Sequence, residues 1–345
     1  MRGRQSSESA SGWGRNLFLA FFFLISQIVK PAQVLVVAGT HGNERNAPWL
    51  LDHWRRQPEA LQRHGLDVAL VLGNPAAHKA NQRYVERDLN RCFAPELLAD
   101  SSRNEADLQR ARQLLACHGP DAESPSLVVL DLHSTTSAMG NSLVLYGRRP
   151  ADLALAAGLQ GELGLPIYLH EADASQTGFL VERWPCGLVI EVGPVPQGVI
   201  QAQICRQSQL GVEAALAVLA AAQRGRLRLP AELVVHCHLG SLDLPRHPDG
   251  SPAACLHPSL QHRDWRPLRA GDPVFIDPCG KEIRLALPPD LAGESVWPVF
   301  VNEAAYGEKG IALSLTRREC WQVGPDWLLA LTDIAAQLAQ RGAPL

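Results

Sequence analysis

The sequence predicts an α/β protein, with a mostly parallel sheet flanked by helices and a smaller β-rich C-terminal domain. Nearly all-apolar, strand-like runs alternate with helical stretches from about residue 33 to residue 223, and this alternation stops near residue 226. Such a pattern is typical of parallel strands covered by helices on both faces. With 345 residues, 46% of them hydrophobic, the chain can form one large or two modest domains.

The first elements alternate strand and helix. The run "VLVVAG", residues 34–39, predicts a strand, and "NAPWLLDHWRR", residues 46–56, has apolar residues at helical spacing. "LDVALVLGN", residues 66–74, predicts a second strand that leads into a loop through residues 74–93. "RNEADLQRARQLLAC", residues 103–117, then predicts an amphipathic helix.

The same alternation continues through the middle of the chain. Helices are predicted near residues 151–163 and 203–223. Four further strands are predicted at "LVVLDLH" (127–133), "NSLVLYG" (141–147), "LPIYLH" (165–170) and "LVIEVG" (188–193). Together these elements predict a single α/β layer structure.

Beyond "RGRLRLP", residues 224–230, strand-like runs and Pro-rich turns replace the long helices. "PVFIDPCGKEIRL", residues 273–285, predicts a hairpin, and "PDWLLALTDIAAQLAQ", residues 325–340, predicts a last helix. We therefore place an α/β domain at residues 31–225 and a β-rich domain with a terminal helix at residues 226–345.

Residues 1–30 are treated as an N-terminal extension. The apolar run "LFLAFFFLISQIV", residues 17–29, follows three arginines as in a signal peptide, but it is shorter than the roughly 20 residues of a membrane span. An export signal, a membrane anchor and upstream sequence added by a misplaced start are the three interpretations. Eight scattered cysteines without a CxxC pair indicate free thiols in a reducing compartment, which favours the third interpretation and a cytoplasmic location.

The overall charge excludes some partners. A formal net charge of −3 gives no basic field for nucleic acid or for an anionic membrane surface. We therefore expect neither a nucleic-acid partner nor a stable membrane partner.

Ionisable residues lie at the carboxyl ends of three predicted strands, where open α/β sheets form their functional crevice. The first strand leads to His41 and Glu44, "LVVLDLH" ends at His133, and "LVIEVG" carries Glu191. Two histidines and one carboxylate are a common ligand set for catalytic zinc, with water in the fourth position. A further glutamate opposite that water is the usual general base.

Taken singly, each of these features has an ordinary structural explanation. The His-x-x-Glu pair would be a surface or capping pair, the strand-end histidine a core residue, and Glu191 a carboxylate paired with an arginine. Their combination favours a metal site, since a carboxylate buried unpaired in a strand costs several kcal/mol. Gly39 and Gly42 allow the tight backbone path that directs both side chains of the pair to one point.

A second polar cluster lies in "NQRYVERDLNR", residues 81–91. Its charged and amide residues are Arg83, Arg87, Asp88, Asn90 and Arg91. They form either a solvated charged turn or a binding site, in which one arginine holds a substrate carboxylate and another stabilises an oxyanion. Tyr306, in the predicted loop "FVNEAAYGEKG" of the second domain, is placed to cap the same cleft.

Five motifs in this chain resemble those of the aspartoacylases, zinc amidohydrolases of the carboxypeptidase-like superfamily. They occur in the family's order and cover residues 34 to about 310: "AGTHGNE", "NQRYVERDLNR", "LDLHSTTSAMGNSLVLY", "IEVGPVPQG" and "PVFVNEAAYGEK". The resemblance implies a zinc-carboxypeptidase-like α/β domain whose active site is partly covered by a β-rich C-terminal domain.

The resemblance also implies the metal chemistry. His41, Glu44 and His133 would be the ligands of one zinc ion per subunit. Glu191 would act as general base on the metal-activated water and later as proton donor to the leaving amine.

The remaining roles implied by the resemblance concern the substrate. Arg83 would polarise the acyl carbonyl, and Asn90 and Arg91 would hold the substrate carboxylate. Tyr306 would close on the substrate, which also contacts Glu191. The expected partner is accordingly a small N-acyl amino acid; a homo-oligomer is one option for the assembly.

The expected reaction is hydrolysis of a linear amide C–N bond in an N-acyl amino acid of the N-acetylaspartate type. Animal aspartoacylases carry another arginine about ten residues before the Glu191 position; here only Arg183 is near, and it lies too close to Glu191. Deacylation of N-acyl aromatic or other amino acids is therefore an alternative. A zinc carboxypeptidase and a non-catalytic zinc-binding or ligand-binding protein are the further rivals.

Overall fold

The structure is a computed structural model that describes residues 32–62, 64–171, 173 and 176–339. The expectations for residues 1–30 lie outside the described residues. Within the described ranges, no helix combines the length and the apolar character that a membrane crossing requires.

The described residues form twelve strands and eight α-helices. The strands are Gln33–Ala38 (β1), Val68–Leu72 (β2), Ser126–Ser134 (β3), Gly140–Tyr146 (β4), Ile167–His170 (β5), Cys186–Gly193 (β6), Glu232–Leu242 (β7), Cys255–Leu256 (β8), Pro273–Ile276 (β9), Glu282–Arg284 (β10), Trp297–Val299 (β11) and Leu313–Gln322 (β12). The helices are Asn46–Arg56 (α1), Glu59–Gln62 (α2), Pro75–Ala80 (α3), Pro95–Ala99 (α4), Ala106–His118 (α5), Pro150–Leu163 (α6), Ala202–Gln223 (α7) and Pro325–Ala335 (α8).

Nine of the described strands form one sheet in the order β11-β12-β7-β5-β4-β6-β3-β1-β2. Five of its pairings are parallel and three are antiparallel, so the mostly parallel sheet predicted from the sequence is confirmed. The predicted hairpin is also present, because β9 and β10 pair antiparallel, and β8 completes a small second sheet.

Side chains alternate between the two faces of the large sheet. On one face, apolar side chains of the central strands pack against α1, α6, α7 and α8 in the larger hydrophobic core. On the other face, α5 and the segment around Phe93 and Phe300 cover a smaller core. The strand residues that carry the candidate chemistry alternate with the buried residues of the larger core, so they face this second side.

The region 74–93, predicted as a loop, contains helix α3. Asn74 caps this helix by accepting a hydrogen bond from the backbone N–H of Ala77 at 3.2 Å, and Pro75 occupies the first helical turn. Both are local signals for a helix start. The prediction of an uninterrupted loop was therefore wrong for residues 75–80.

The chain on both sides of residue 226 contributes to one sheet. That position lies between α7 and β7, and β7, β12 and β11 extend the sheet begun by β1 to β6. Helix α8 returns to pack against α6 and α7, and a backbone bridge joins Leu338 to Ala32 beside the start of β1. The terminal helix thus lies in the helical layer of the α/β part.

Candidate metal centre and substrate pocket

The loop after β1 is shaped by close backbone approach. Gly39 has φ +69°, a conformation that side-chain-bearing residues rarely adopt. At Gly42 an added Cβ would lie 2.1 Å from the carbonyl carbon of Ala77, so the loop is packed directly on α3. This path brings His41 and Glu44 over the carboxyl end of β3, where His133 lies.

His41, Glu44 and His133 converge and are all buried. The Nδ1 atom of His41 lies 2.6 Å from Glu44 Oε1 and 3.1 Å from His133 Nδ1. His133 Nδ1 lies 3.1 Å from Glu44 Oε2. Ligands bonded to a tetrahedral zinc ion at 2.0–2.1 Å are roughly 3.3 Å apart, so this donor set fits such an ion and leaves its fourth position for another ligand.

Two carboxylates orient the imidazole rings. His41 Nε2 lies 3.0 Å from Asp88 Oδ1, and His133 Nε2 lies 2.8 Å from Asp131 Oδ2. Thr40 donates a hydrogen bond of 2.7 Å to the other oxygen of Asp131. A ring that donates Nε2–H to a carboxylate presents the lone pair of Nδ1 to a metal ion, which is the arrangement found around catalytic zinc.

The charges of the cluster stabilise one another. Burial acts to raise the pKa of Glu44, but His41 and His133 outweigh it and hold this pKa well below its ordinary value. Burial acts to lower the pKa of His133, yet Asp131 and Glu44 hold it well above the usual range. These carboxylates favour positive charge at His133, which a bound metal ion would supply in place of the proton on Nδ1. The pocket therefore presents a negative carboxylate to positive charge, as a cation site requires.

Glu191 lies on β6, directly beside His133 in the parallel pairing of β6 with β3. Its side chain is buried and faces the pocket. Burial raises the pKa of Glu191 well above its ordinary value, and Glu44 adds to this effect, while His133 opposes it. A carboxyl group in this position can both accept and return a proton.

Arg83 is fixed beside the metal-ligand candidates. Its Nη2 lies 3.3 Å from Asp88 Oδ2, and its Nη1 lies 3.6 Å from Glu44 Oε1. Burial acts to lower the pKa of Arg83, but the two carboxylates outweigh it, so the guanidinium remains charged. It faces the pocket next to the candidate metal site.

Asn90 and Arg91 lie in the 3-10 turn that follows Asp88. Asn90 Oδ1 accepts a hydrogen bond from the backbone N–H of Leu180 at 2.8 Å. Arg91 donates to the carbonyl of Asn90 at 2.8 Å and to Gln176 Oε1 at 2.7 Å. Its guanidinium carbon lies 4.1 Å from the centre of the Phe179 ring, so the arginine is held over an aromatic face.

The C-terminal part covers the pocket through residues 300–310. Glu303 accepts hydrogen bonds from Thr136, at 2.7 Å from its backbone N–H and 2.9 Å from its hydroxyl, and from Thr135. This buried carboxylate fastens the segment to the loop that follows His133. Tyr306 then packs at 5.2 Å, between ring centres, from Phe300.

The eight residues proposed from the sequence line one pocket. They are His41, Glu44, Arg83, Asn90, Arg91, His133, Glu191 and Tyr306. Two other arginines of the sequence argument do not line this pocket: Arg87 lies 3.8 Å from Glu105, and Arg183 is exposed. An apolar and aromatic wall is formed by Val144, Tyr146, Tyr168, Phe179, Val189 and Phe300, and the polar residues His170, Gln176 and Ser314 also line the pocket.

Sequence reasoning missed several residues of this site. Asp131 had a readable signal, because it precedes His133 by two positions in a strand and so shares its face. Glu303 and Lys309 had none, since their partners come from distant parts of the chain. Lys309 Nζ, for example, lies 3.4 Å from Asp88 Oδ2.

Two family models match the chain. The succinylglutamate desuccinylase/aspartoacylase catalytic domain matches residues 30–219. The AstE/AspA barrel-sandwich hybrid domain matches residues 231–318. The two matches leave residues 220–230 between them.

Curated relatives and solved structures agree with these matches. The chain is 60% identical over 301 residues to a probable aspartoacylase of Parasynechococcus marenigrum (strain WH8102). This alignment covers 87% of this chain and 98% of the relative. A probable aspartoacylase of Synechococcus sp. (strain CC9605) is 58% identical over 303 residues, with 88% and 98% covered. The crystal structure of murine aminoacylase 3 matches with 34% identity and a TM-score of 0.76, over 85% of this chain and 97% of that one.

Proposed function

This chain belongs to the succinylglutamate desuccinylase/aspartoacylase family, and on that premise we propose that it is a zinc-dependent amidohydrolase that deacylates an N-acyl amino acid. One observation carries the proposal: His41, Glu44 and His133 converge in a buried cluster that shares a pocket with Glu191 and Arg83. A purely structural cluster would not need an additional carboxylate and guanidinium facing the same space.

Bound zinc would supply a water of pKa about 7 and an electrophile for the acyl carbonyl. Glu191 accepts the proton of the attacking water on a carboxylate oxygen and returns it to the amide nitrogen as the C–N bond breaks. Arg83, held charged by Asp88 and Glu44, stabilises the negative charge that develops on the acyl oxygen. The products are a carboxylate and a free amino acid.

The carboxylate of the substrate amino acid binds at Asn90 and Arg91. The guanidinium of Arg91 is already oriented by Gln176 and by the ring of Phe179, so little side-chain entropy is lost when it pairs with a carboxylate. Tyr306 covers this end of the pocket from the C-terminal part.

The apolar wall favours an uncharged side chain on that amino acid over aspartate. Among the described residues that line the pocket, Arg83 and Arg91 are the arginines, and both have roles in the chemistry or the carboxylate clamp. Lys309 is paired with Asp88 and does not line the pocket. A second substrate carboxylate would therefore be buried against aromatic rings without its own cation, which is unfavourable. N-acyl aromatic amino acids therefore fit better than N-acetylaspartate.

Two further features concern the size of the substrate and the location of the protein in the cell. Glu303 fastens residues 300–310 over the pocket, which favours small N-acyl amino acids over polypeptides. All eight cysteines are free, which supports a reducing, cytoplasmic location.

The test is hydrolysis of a substrate panel by the purified full chain. We expect the protein to release amino acid from N-acetylphenylalanine faster than from N-acetylaspartate, and to leave a short peptide intact. A chelator should abolish the activity and added zinc should restore it. Zinc binding without hydrolysis of any panel member would contradict the proposal and favour a non-catalytic binding protein, whereas cleavage of the peptide alone would favour a carboxypeptidase.

A further inference from the structure

A buried imidazole that the proposed chemistry does not use lies at the far end of the pocket. His170 is the last residue of β5, and together with Tyr168 it faces the pocket. Its Nδ1 atom lies 3.0 Å from the hydroxyl of Tyr168, whose other neighbour is His238 Nδ1 at 2.9 Å. Its Nε2 atom is buried and has no hydrogen-bond partner in the described part of the chain.

An unpaired buried nitrogen is unfavourable, because nearly all buried polar atoms in folded proteins are hydrogen-bonded. The Tyr168 hydroxyl, which also has a hydrogen bond with Ser314, has a single proton, so toward His170 it either donates or accepts. If it donates to His170 Nδ1, then His170 Nε2 carries a proton and is a donor. If it accepts from His170 Nδ1, then Nε2 is an acceptor.

His170 is also neutral in this environment. Burial is the largest influence, and together with His238 it lowers the pKa of His170 to about 4. Aromatic rings lie beside it: Phe179 is 5.5 Å away between ring centres, and Tyr146 is 6.0 Å away. The charged groups of Asp173, Arg91 and Lys309 also act on the ring. A neutral nitrogen in an aromatic wall suits an uncharged polar group rather than a carboxylate.

The position of His170 identifies which part of the substrate would reach it. Phe179 lies next to both Arg91 and His170: the Arg91 guanidinium carbon is 4.1 Å from its ring centre, and the His170 ring centre is 5.5 Å away. Tyr146 stacks on the same ring at 3.6 Å. Because Arg91, Phe179 and His170 line the same pocket, the Cα substituent of an amino acid whose carboxylate is held by Arg91 can extend toward His170. The acyl group, bound at the metal-ligand cluster, lies at the other end.

We propose that His170 is a specificity-determining residue whose Nε2 hydrogen-bonds an uncharged polar group at the tip of an aromatic side chain of the N-acyl amino acid. The inference rests on the proposed function and names the substrate class of the same site. A phenolic hydroxyl is the simplest such group, since it can donate or accept a hydrogen bond. It therefore suits His170 Nε2 whether that nitrogen is a donor or an acceptor.

The test compares N-acetyl-L-tyrosine with N-acetyl-L-phenylalanine, which differ by one hydroxyl. In the zinc-loaded wild-type protein we expect kcat/KM to be about tenfold or more higher for the tyrosine substrate, because the other leaves His170 Nε2 unpaired. His170→Phe should remove this preference while the phenylalanine substrate is still hydrolysed. His238→Phe, the same change at the other partner of the Tyr168 hydroxyl, should retain it.

Equal kcat/KM values for the two substrates in the wild-type protein would overturn the inference, as would an unchanged preference in His170→Phe. A second measurement is calorimetric binding of L-tyrosine and L-phenylalanine to the zinc-loaded wild-type protein, which requires neither turnover nor a variant that folds. We expect L-tyrosine to bind more tightly. Equal Kd values for the two amino acids would contradict the role of His170. If no N-acyl amino acid is hydrolysed, the proposed function fails, but the ratio of the two Kd values still decides the role of His170.

Discussion

At the scale of single residues, the candidate metal centre depends on which nitrogen each histidine presents. His41 and His133 both direct Nδ1 to the cluster, because Asp88 and Asp131 bind the Nε2 atoms. Neither carboxylate would contact the proposed ion, yet each fixes the orientation of one of its imidazole ligands. Removing one of these carboxylates should therefore weaken metal binding without removing a ligand.

Asp131→Asn should lower zinc affinity about 10- to 100-fold in a folded protein, since the amide cannot accept the His133 proton with the same strength. Competition against a chromophoric chelator measures this change. Asp52→Asn, on the exposed surface of α1, is the matched control and should leave zinc affinity unaltered. Equal affinity in both variants would show that Asp131 does not orient His133.

Glu191→Gln should lower kcat roughly 10²- to 10⁴-fold, because the amide cannot accept the proton of the attacking water. The measurement is steady-state hydrolysis of the best panel substrate, together with zinc content by elemental analysis. Zinc content should stay at the wild-type level, since Glu191 is not among the ligand candidates. Near-normal turnover in zinc-loaded Glu191→Gln would rule out its role as general base.

Local sequence could point to some residues of the site and not to others. His133 and Glu191 interrupt apolar strands, where an ionisable side chain is conspicuous. His170 also lies on a strand, but its proposed role depends on its hydrogen bond with the Tyr168 hydroxyl. That hydroxyl also contacts His238, which is 70 residues from Tyr168. A hydrogen bond between such distant residues leaves no pattern in either segment.

At the scale of elements, the loop after β1 is positioned by its contact with α3. The sequence indicated that Gly42 permits a tight path, and the structure gives the reason: the backbone of Ala77 occupies the space of a side chain. The sequence does not predict helix α3, because its few residues lie within a polar segment, although Asn74 and Pro75 form a recognisable helix start.

Gly42→Ala should therefore displace the loop and reduce zinc affinity at least about tenfold. This is the lower end of the loss of metal affinity found when residues that orient metal ligands are changed. Thermal unfolding of the metal-free protein and chelator competition together measure the effect. Gly161→Ala is the matched control on α6, where an added Cβ lies 3.7 Å from its nearest neighbour. Gly161→Ala should leave zinc affinity unchanged and raise the free energy of unfolding by about 0.5–1 kcal/mol. Equal zinc affinity and equal free energy of unfolding in the two variants would contradict the close packing of Gly42.

The direction of strands was only partly predictable. Runs of apolar residues indicated the central strands, and most pair in parallel as expected. β4 runs antiparallel to β6. Its connection from β3 spans only residues 135–139, whereas a parallel crossover needs about a dozen residues or more, so connection length is the signal for this reversal.

At the scale of the whole molecule, the last helix packs in the helical layer, and Leu338 beyond it forms a bridge with Ala32 beside β1. Helix α8 packs on α6 and α7, and its buried side chains belong to the larger core. The sequence predicted the helix itself, but not its place, since the amphipathic pattern does not specify which surface covers the apolar side. The far end of the chain should therefore contribute to global stability.

Leu331→Ala should lower the free energy of unfolding by about 2–5 kcal/mol, because Leu331 is 0% exposed and its loss leaves a cavity. Leu329, on the same helix, is 62% exposed. Leu329→Ala should change the free energy of unfolding by no more than about 0.5 kcal/mol. Denaturant unfolding of both variants measures the difference; equally small effects would show that α8 is not part of the cooperative core.

We expect a divalent metal ion to bind where the loop after β1 meets the ends of β3 and β6. Anomalous diffraction at the zinc edge, from crystals of the zinc-loaded protein, tests it directly. We predict one strong peak about 2.0–2.2 Å from His41 Nδ1, His133 Nδ1 and a carboxylate oxygen of Glu44. A zinc-loaded protein with no peak among these three side chains, or with its zinc bound elsewhere, would contradict the account.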